Sequence, residues 1–418
     1  MAEAGETSLY LRRKQLTDRL IARTCSKDLE LLSKIRELSI NNLICSYWMK
    51  RPSPILCDSF TDWSNDLNWI RESSIPYSCT VPFCMLKSPV PSFELPQRIY
   101  ETPGLTNTRF GQFLQTRWPD RLTIYTDGSV NQNKAGSAFV VPSHNVKKQY
   151  RLWDRASIYS AETFAVQKAL QYALEHARST TLIIITDSRS MTTKMRGLGP
   201  SSKLTKIEAT ILNRIYTLKT LGTRVIFCWV RGHSRIMGNH AADTQANGAL
   251  TLPDSPPSPD FPQTDLKRPI GAKMKNQWVE DFHAYNGGET YKQRFPRTHL
   301  QPWFKQVTEN MPKTFYRTVT RLRSGHSCCN SNLYRMHLVE SPACRACGQL
   351  EETNEHIVLE CPEYSQARVS LLRGLQKMIL NPFNLDSIMA ADNVKVNVLI
   401  FNFTQTINIR IYINVNYK

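Results

Sequence analysis

The chain has 418 residues, 41% of them hydrophobic, and carries 53 Lys and Arg against 35 Asp and Glu for a formal net charge of +18. Those values suit two or three globular domains with real cores and exclude a disordered chain. The charge calls for nucleic acid or an anionic surface, and with no apolar run near the roughly 20 residues of a spanning helix, the membrane is set aside.

In chain order, residues 1–110 read as a helical segment followed by a linker. Leu31, Leu32, Ile35 and Leu38 repeat at helical spacing, whereas 51–110 is rich in proline without a clear period. The N-terminus, Met1-Ala2-Glu3-Ala4-Gly5-Glu6, has neither the basic start nor the apolar stretch of a secretory signal, which points to a nuclear or cytoplasmic setting. Residues 121–250 read as an α/β domain. Leu122–Thr126 predicts a strand ending at the turn signal Asp127-Gly128-Ser129, and 136–141 and 146–153 predict two more strands in a meander. Ser160 is expected to cap a helix whose apolar face carries Ala161, Phe164, Ala165, Ala169, Tyr172 and Ala173. Leu182–Ile185, wholly apolar, predicts a buried strand delivering Asp187 at its end. A helix over 204–218, a strand over 225–230 and a helix from about Asn239 follow. Residues 251–265, with five prolines between 253 and 262, read as a semi-stiff linker. Beyond it, 266–380 is expected to be helical. Residues 381–418 are expected to form an irregular tail that ends in the alternating Ile407-Asn408-Ile409-Arg410-Ile411-Tyr412-Ile413.

Four acids organise the middle domain. Residues 121–250 hold 18 Lys and Arg but only 7 Asp and Glu, and four of the seven are Asp127, Glu162, Asp187 and Asp243. Each sits at a predicted strand or helix end, so the four can converge; Glu162 in a first helical turn also gains from the helix dipole. Singly they have plain alternatives: Asp127 as turn chemistry, Glu162 as a helix-start preference, Asp187-Ser188 as a cap. Converged carboxylates repel unless cations join them, and oxygen donors suit Mg²⁺ or Mn²⁺. Two such ions about 3.5–4 Å apart activate water and stabilise the leaving oxygen of a phosphodiester.

The blocks Thr126-Asp127-Gly128-Ser129, Ser160-Ala161-Glu162 and Thr186-Asp187-Ser188 recur in order with Trp229-Val230-Arg231-Gly232-His233 and Gly238-Asn239-His240-Ala241-Ala242-Asp243. Together they resemble the type 1 ribonuclease H domain, in the form carried by non-LTR retrotransposon polyproteins. The resemblance covers about 121–250. It implies a five-stranded mixed sheet with flanking helices and cleavage of RNA paired to DNA by two metal ions on Asp127, Glu162, Asp187 and Asp243. It also gives His233 the part of a loop histidine that assists proton transfer or product release. One departure is His240, where the family usually has Glu after Gly-Asn; that position is not a metal ligand in the family.

The eleven cysteines, an odd number, read as reduced thiols plus a metal site. Cys344-x2-Cys347-x8-His356-x4-Cys361 has the spacing of a small tetrahedral Zn²⁺ site with four protein ligands, hence structural; the alternative is buried free cysteines beside a helix-face histidine. Arg321-Leu322-Arg323-Ser324-Gly325-His326 and the segment 344–362 resemble the C-terminal knuckle that follows ribonuclease H in such retroelements. Glu3-Ala4-Gly5-Glu6 and Leu11-Arg12-Arg13 resemble the tail that follows a reverse transcriptase. No Tyr-x-Asp-Asp polymerase motif occurs. The expected protein is thus the downstream fragment of a retroelement polyprotein: an endoribonuclease acting on RNA–DNA hybrids with two Mg²⁺, plus a zinc-held tail for single-stranded RNA or DNA. The alternative is a degenerate remnant that grips hybrids without cutting. The pattern leaves the oligomeric state open.

Overall fold

A computed structural model describes the chain except residues 1, 71–74, 77–89, 199–201, 254–260, 298–300, 309, 349–350, 380–382 and 410–418. It folds as two compact units: Arg13–Lys273, and Met1–Arg12 together with Met274–Lys418.

The first unit is built on a six-stranded sheet: β1 (Ser92–Glu94), β2 (Arg121–Asn131), β3 (Lys134–Val141), β4 (Val146–Leu152), β5 (Thr181–Thr186) and β6 (Arg224–Trp229). The spatial order is β1-β6-β5-β2-β3-β4. β2, β3 and β4 form the antiparallel meander, while β2, β5, β6 and β1 run parallel. The expected five-stranded mixed sheet is therefore present, with β1 added at its edge. Gln132 and Asn133, at φ 45° and 62°, make the two-residue turn between β2 and β3, a left-handed geometry that matches strand twist.

The run Leu182–Ile185 within β5 is wholly apolar because both its faces are covered. Leu182 and Ile184 enter the larger core with Phe164, Ala169 and Ile211, from helices α5 (Ile158–His176) and α7 (Lys206–Thr220). Ile183 and Ile185 enter a second core with Phe110 and Leu114 of α4 (Thr106–Arg117) and Ala242 of α8 (Met237–Gly248).

Several boundaries differ from the sequence reading, each for a local reason. β2 does not end at Asp127 but continues to Asn131, since its antiparallel pairing with β3 outlasts its parallel pairing with β5. Ser157, not Ser160, caps α5, its hydroxyl accepting from Ser160 N, so Glu162 lies a turn inside the helix and the dipole argument weakens. A short helix α6 (Arg189–Arg196), capped by Ser188, intervenes before α7. The described residues of 51–110 are no linker: Ile55–Leu67 is a helix that buries Trp63 and Leu67 in the larger core, β1 joins the sheet, and Leu95, Ile99 and Phe110 supply the second core. The units part near Lys273, not within 251–265, because Phe261, Leu266 and Ile270 are buried in the first unit's core. Most of the proline run, at 256–259, lies outside the described residues.

In the second unit, α10 (Lys313–Ser324), α11 (Ser365–Leu375), α12 (Leu385–Ala390) and α13 (Val394–Thr406) share a core of Leu322, Ile357, Val358, Leu371, Leu375 and Ile400, among others. The expected irregular tail is thus helical over 385–406, and the alternating stretch from 410 onward lies outside the described residues. Arg323, fully buried, lies over the Phe295 ring, 4.1 Å to its centroid. It donates from Nε to Glu3 Oε2 at 2.7 Å and pairs with Asp392 at 3.0 Å, which ties the N-terminal turn into this unit.

Candidate active site and candidate metal cluster

Thr126 of β2 pairs with Thr186 of β5, so the next residues, Asp127 and Asp187, stand side by side where β5 ends. α5 comes onto β2 at Gly128. A Cβ there would lie 2.5 Å from Glu162 N, so only glycine lets Glu162 approach Asp127 this closely. α8 is tied to the same strand: Ser129 Oγ donates to Asn247 Oδ1 at 2.6 Å, and Asn247 Nδ2 donates to Asp243 Oδ1 at 2.9 Å.

Asp127 is only 6% exposed. Burial, reinforced by the charges of Asp187 and Asp243 and to a lesser extent Glu162, pushes its carboxyl up to about 8 against the Gly128 N–H that it accepts. Burial likewise raises Glu162 to about 7, opposed by the Ser188 hydroxyl that donates to it and helped by Asp187. Among the described residues, no Lys or Arg forms an ion pair with any of the four acids. Hard oxygen donors, burial, mutual repulsion and no protein cation fit divalent ions.

The sign of the pH dependence follows. The ordinary values are 3.8 and 4.5, and the folded values are higher. These two groups therefore favour the native state fully below pH about 4, a contribution lost as pH rises through about 7 to 8. Metal-free protein is expected to melt at a lower temperature at pH 8 than at pH 5, and Mg²⁺ to raise the melting temperature more at pH 8. Thermal unfolding at both pH values, with Mg²⁺ or EDTA, checks this; an equal Mg²⁺ effect at both would contradict it.

Three residues without a role in the sequence reading hold these acids. Asn239 Nδ2 donates to Asp187 Oδ2 at 3.3 Å, Trp229 Nε1 donates to the Asp187 carbonyl at 2.9 Å, and Ser188 Oγ bonds Glu162. The signal for Asn239 was available: it shares the buried face of α8 with Ala242 and Ala246, an amide in a row of small apolar residues. His233 is exposed, with a left-handed φ of 54°, in the loop whose Gly232 passes over the Asp187 carboxylate. Among the described residues no hydrogen bond joins its ring to the four acids. His240 is exposed on α8.

In the second unit, Cys344, Cys347, His356 and Cys361 offer ligand atoms that all lie within 4.8 Å of one another. Cys344 Sγ is 3.8 Å from Cys361 Sγ, and Cys347 Sγ is 3.4 Å from His356 Nε2. Zn–S bonds of about 2.3 Å at tetrahedral angles give S···S near 3.8 Å, so the spacing fits such an ion. His356 is 1% exposed and its other nitrogen lies 3.6 Å from the Glu360 carboxylate, too long for a hydrogen bond but on the side where a ring N–H is favoured. Buried Glu352 accepts from Arg345 Nη2 at 2.6 Å and from the Arg345 and Asn330 backbone N–H groups at 2.9 and 2.8 Å, and Arg368 Nη2 donates to the Cys361 carbonyl at 2.7 Å. These bonds hold both ligand-bearing loops.

The RNase H family model matches residues 119–251, the segment that carries this sheet and the paired carboxylates where its parallel and antiparallel ladders part. The chain is 35% identical over 129 residues to the Pol polyproteins of equine infectious anemia virus isolates 1369 and CL22, a match covering 30% of this chain and 10% of theirs. It therefore spans about a tenth of the length of the curated relatives it matches. Among solved structures, RNase H1 from the archaeon Halobacterium salinarum NRC-1 is 20% identical with a TM-score of 0.24, covering 31% of this chain and 97% of that one. LC11-RNase H1 in complex with an RNA/DNA hybrid is 14% identical with a TM-score of 0.25, covering 31% and 99%.

Proposed function

We propose that the 119–251 domain hydrolyses the RNA strand of RNA–DNA hybrids, with Asp127, Glu162, Asp187 and Asp243 holding two Mg²⁺ or Mn²⁺ ions. The observation that carries this reading is a mutually repelling carboxylate set around buried Asp127, with no ion-paired Lys or Arg among the described residues. Bound ions would supply a nucleophilic water at neutral pH and charge stabilisation at the leaving oxygen. Asn239 and Trp229 orient Asp187, Ser188 orients Glu162, and Asn247 orients Asp243. His233, on its exposed loop, moves a proton at the leaving group or eases product release. The 2′-hydroxyl tells the RNA strand from the DNA strand.

Cys344, Cys347, His356 and Cys361 hold one structural Zn²⁺ in a region that takes single-stranded RNA or DNA, and the whole chain derives from a non-LTR retrotransposon polyprotein. The supports are the ligand spacing, the +18 charge and the order of the motifs. A second reading, a hybrid-binding remnant without cleavage, is favoured by His240 beside Asn239 on α8.

An end-labelled RNA strand paired to DNA, incubated with the full chain, separates them. Mg²⁺-dependent cuts in the RNA strand, absent with EDTA and absent on single-stranded RNA, are expected. Tight hybrid binding with no cuts in Mg²⁺ or Mn²⁺ would establish the remnant.

A further inference from the structure

The family match begins at residue 119, yet the loop carrying His233 and the helix carrying Asp243 are held by residues before it. α8 begins after Ile236, a residue with no side-chain acceptor, and no cap hydrogen bond comes from that position. The acceptor comes from α4: Met237 N donates to Asn107 Oδ1 at 3.0 Å. Further along the loop, Arg231 N donates to the Tyr100 hydroxyl at 3.2 Å, the Arg231 guanidinium lies 4.6 Å from the Tyr100 ring centroid, and it donates to Gln97 Oε1. Ile236, at the loop's end, is buried in the same apolar core as Phe110 and Leu114 of α4. β1 fixes the upstream segment by pairing with β6, the strand that feeds this loop.

The loop needs such support. His233 and Arg235 both sit at left-handed φ, 54° and 62°, a conformation that costs free energy for residues other than glycine and persists only when neighbours impose it. Polar anchors stand at both ends, Tyr100 at Arg231 and Asn107 at Met237. We infer that Tyr100 and Asn107 are positioning residues for the hydrolytic reaction, setting the His233 loop and the start of the Asp243 helix from outside the nuclease domain proper. The inference rests on the nuclease reading above for its catalytic consequence, but its structural half stands apart from it.

The test uses the full chain with Asn107→Ala, Asn107→Asp and Tyr100→Phe. Thr205→Ala serves as the control, because Thr205 also caps a helix of this unit, α7, by accepting from Glu208 N, and it bonds none of the four acids. Hydrogen exchange of the 231–240 amides is expected to speed up several-fold in Asn107→Ala and Tyr100→Phe and to stay at the parent rate in Thr205→Ala. In hybrid cleavage, Asn107→Ala is expected to lose about tenfold in kcat with KM unchanged. Asn107→Asp, which keeps the acceptor, should recover most of it, and Thr205→Ala should keep parental kcat despite a similar loss of stability. If Asn107→Ala and Thr205→Ala change kcat alike, or if exchange rises while kcat holds, the positioning role is overturned. Exchange that does not rise overturns the brace itself. A parent chain that cleaves no hybrid while exchange still rises sinks the nuclease reading and with it the catalytic half, leaving the brace as a structural finding.

Discussion

Asp127→Asn and Asp187→Asn are each expected to lower hybrid cleavage by about a thousandfold or more, while hybrid binding is kept or tightened. Each removes one ligand charge from the carboxylate set, and several kcal/mol of lost transition-state stabilisation corresponds to about that factor. The basic surface of the domain is untouched, and one negative charge fewer faces the phosphates, so affinity should not fall. The same change removes a buried charge and its repulsion in the metal-free protein, because burial first, and then the charges of Asp187 and Asp243, disfavour the ionised Asp127. Metal-free Asp127→Asn is therefore expected to melt above the parent at pH 8. Single-turnover cleavage, hybrid titration and thermal unfolding on one preparation check all three. Cleavage at the parental rate in either variant would sink the two-ion mechanism, and loss of binding together with cleavage would mark misfolding instead.

Removal of metal from the cysteine–histidine cluster is expected to abolish cooperative folding of the second unit and leave hybrid cleavage almost intact. Ile357 and Val358 sit in the core of that unit immediately beside His356, so the ligand loop and the core form together. Structural zinc in small domains contributes on the order of 10 kcal/mol, comparable with the whole net stability of a domain. A zinc-selective chelator, or Cys344→Ser, should erase one of two thermal transitions and weaken affinity for single-stranded RNA across a range of salt. Two results count against this: protein purified under reducing conditions that contains no zinc, or a Cys344→Ser variant that melts and binds as the parent does.

The nuclease fold was largely legible because its signals are local. The apolar run Leu182–Ile185, the meander and the ordered acidic blocks each announce an element or an element's end from adjacent residues alone. That Cys344, Cys347, His356 and Cys361 come together was legible for the same reason, since their spacing is a local property. What escaped depends on contacts between distant segments. Nothing near Asp127 says that β3 will keep pairing beyond the point where β5 stops, so the strand was ended too soon. Residues 90–105 show no clear period because Leu95 and Ile99 meet a sheet that comes later in the chain, whereas Phe110 and Leu114 fall at helical spacing. Asn239 was passed over because its partner, the Asp187 carboxylate, lies 52 positions away. The C-terminal helices carry Asn and Thr among their apolar residues, and two of these, Asn397 and Thr404, are buried. Such a composition reads as coil until packing decides it.

The interleaving of the two units has a consequence for synthesis. Glu3 is translated 320 positions ahead of Arg323, its partner in the second unit. At roughly 5–20 residues per second, the N-terminal turn waits about 16–64 s for that guanidinium. Within the same interval every residue of the Arg13–Lys273 unit leaves the ribosome. The Arg13–Lys273 unit therefore has time to fold before the unit that encloses it in sequence is even fully translated.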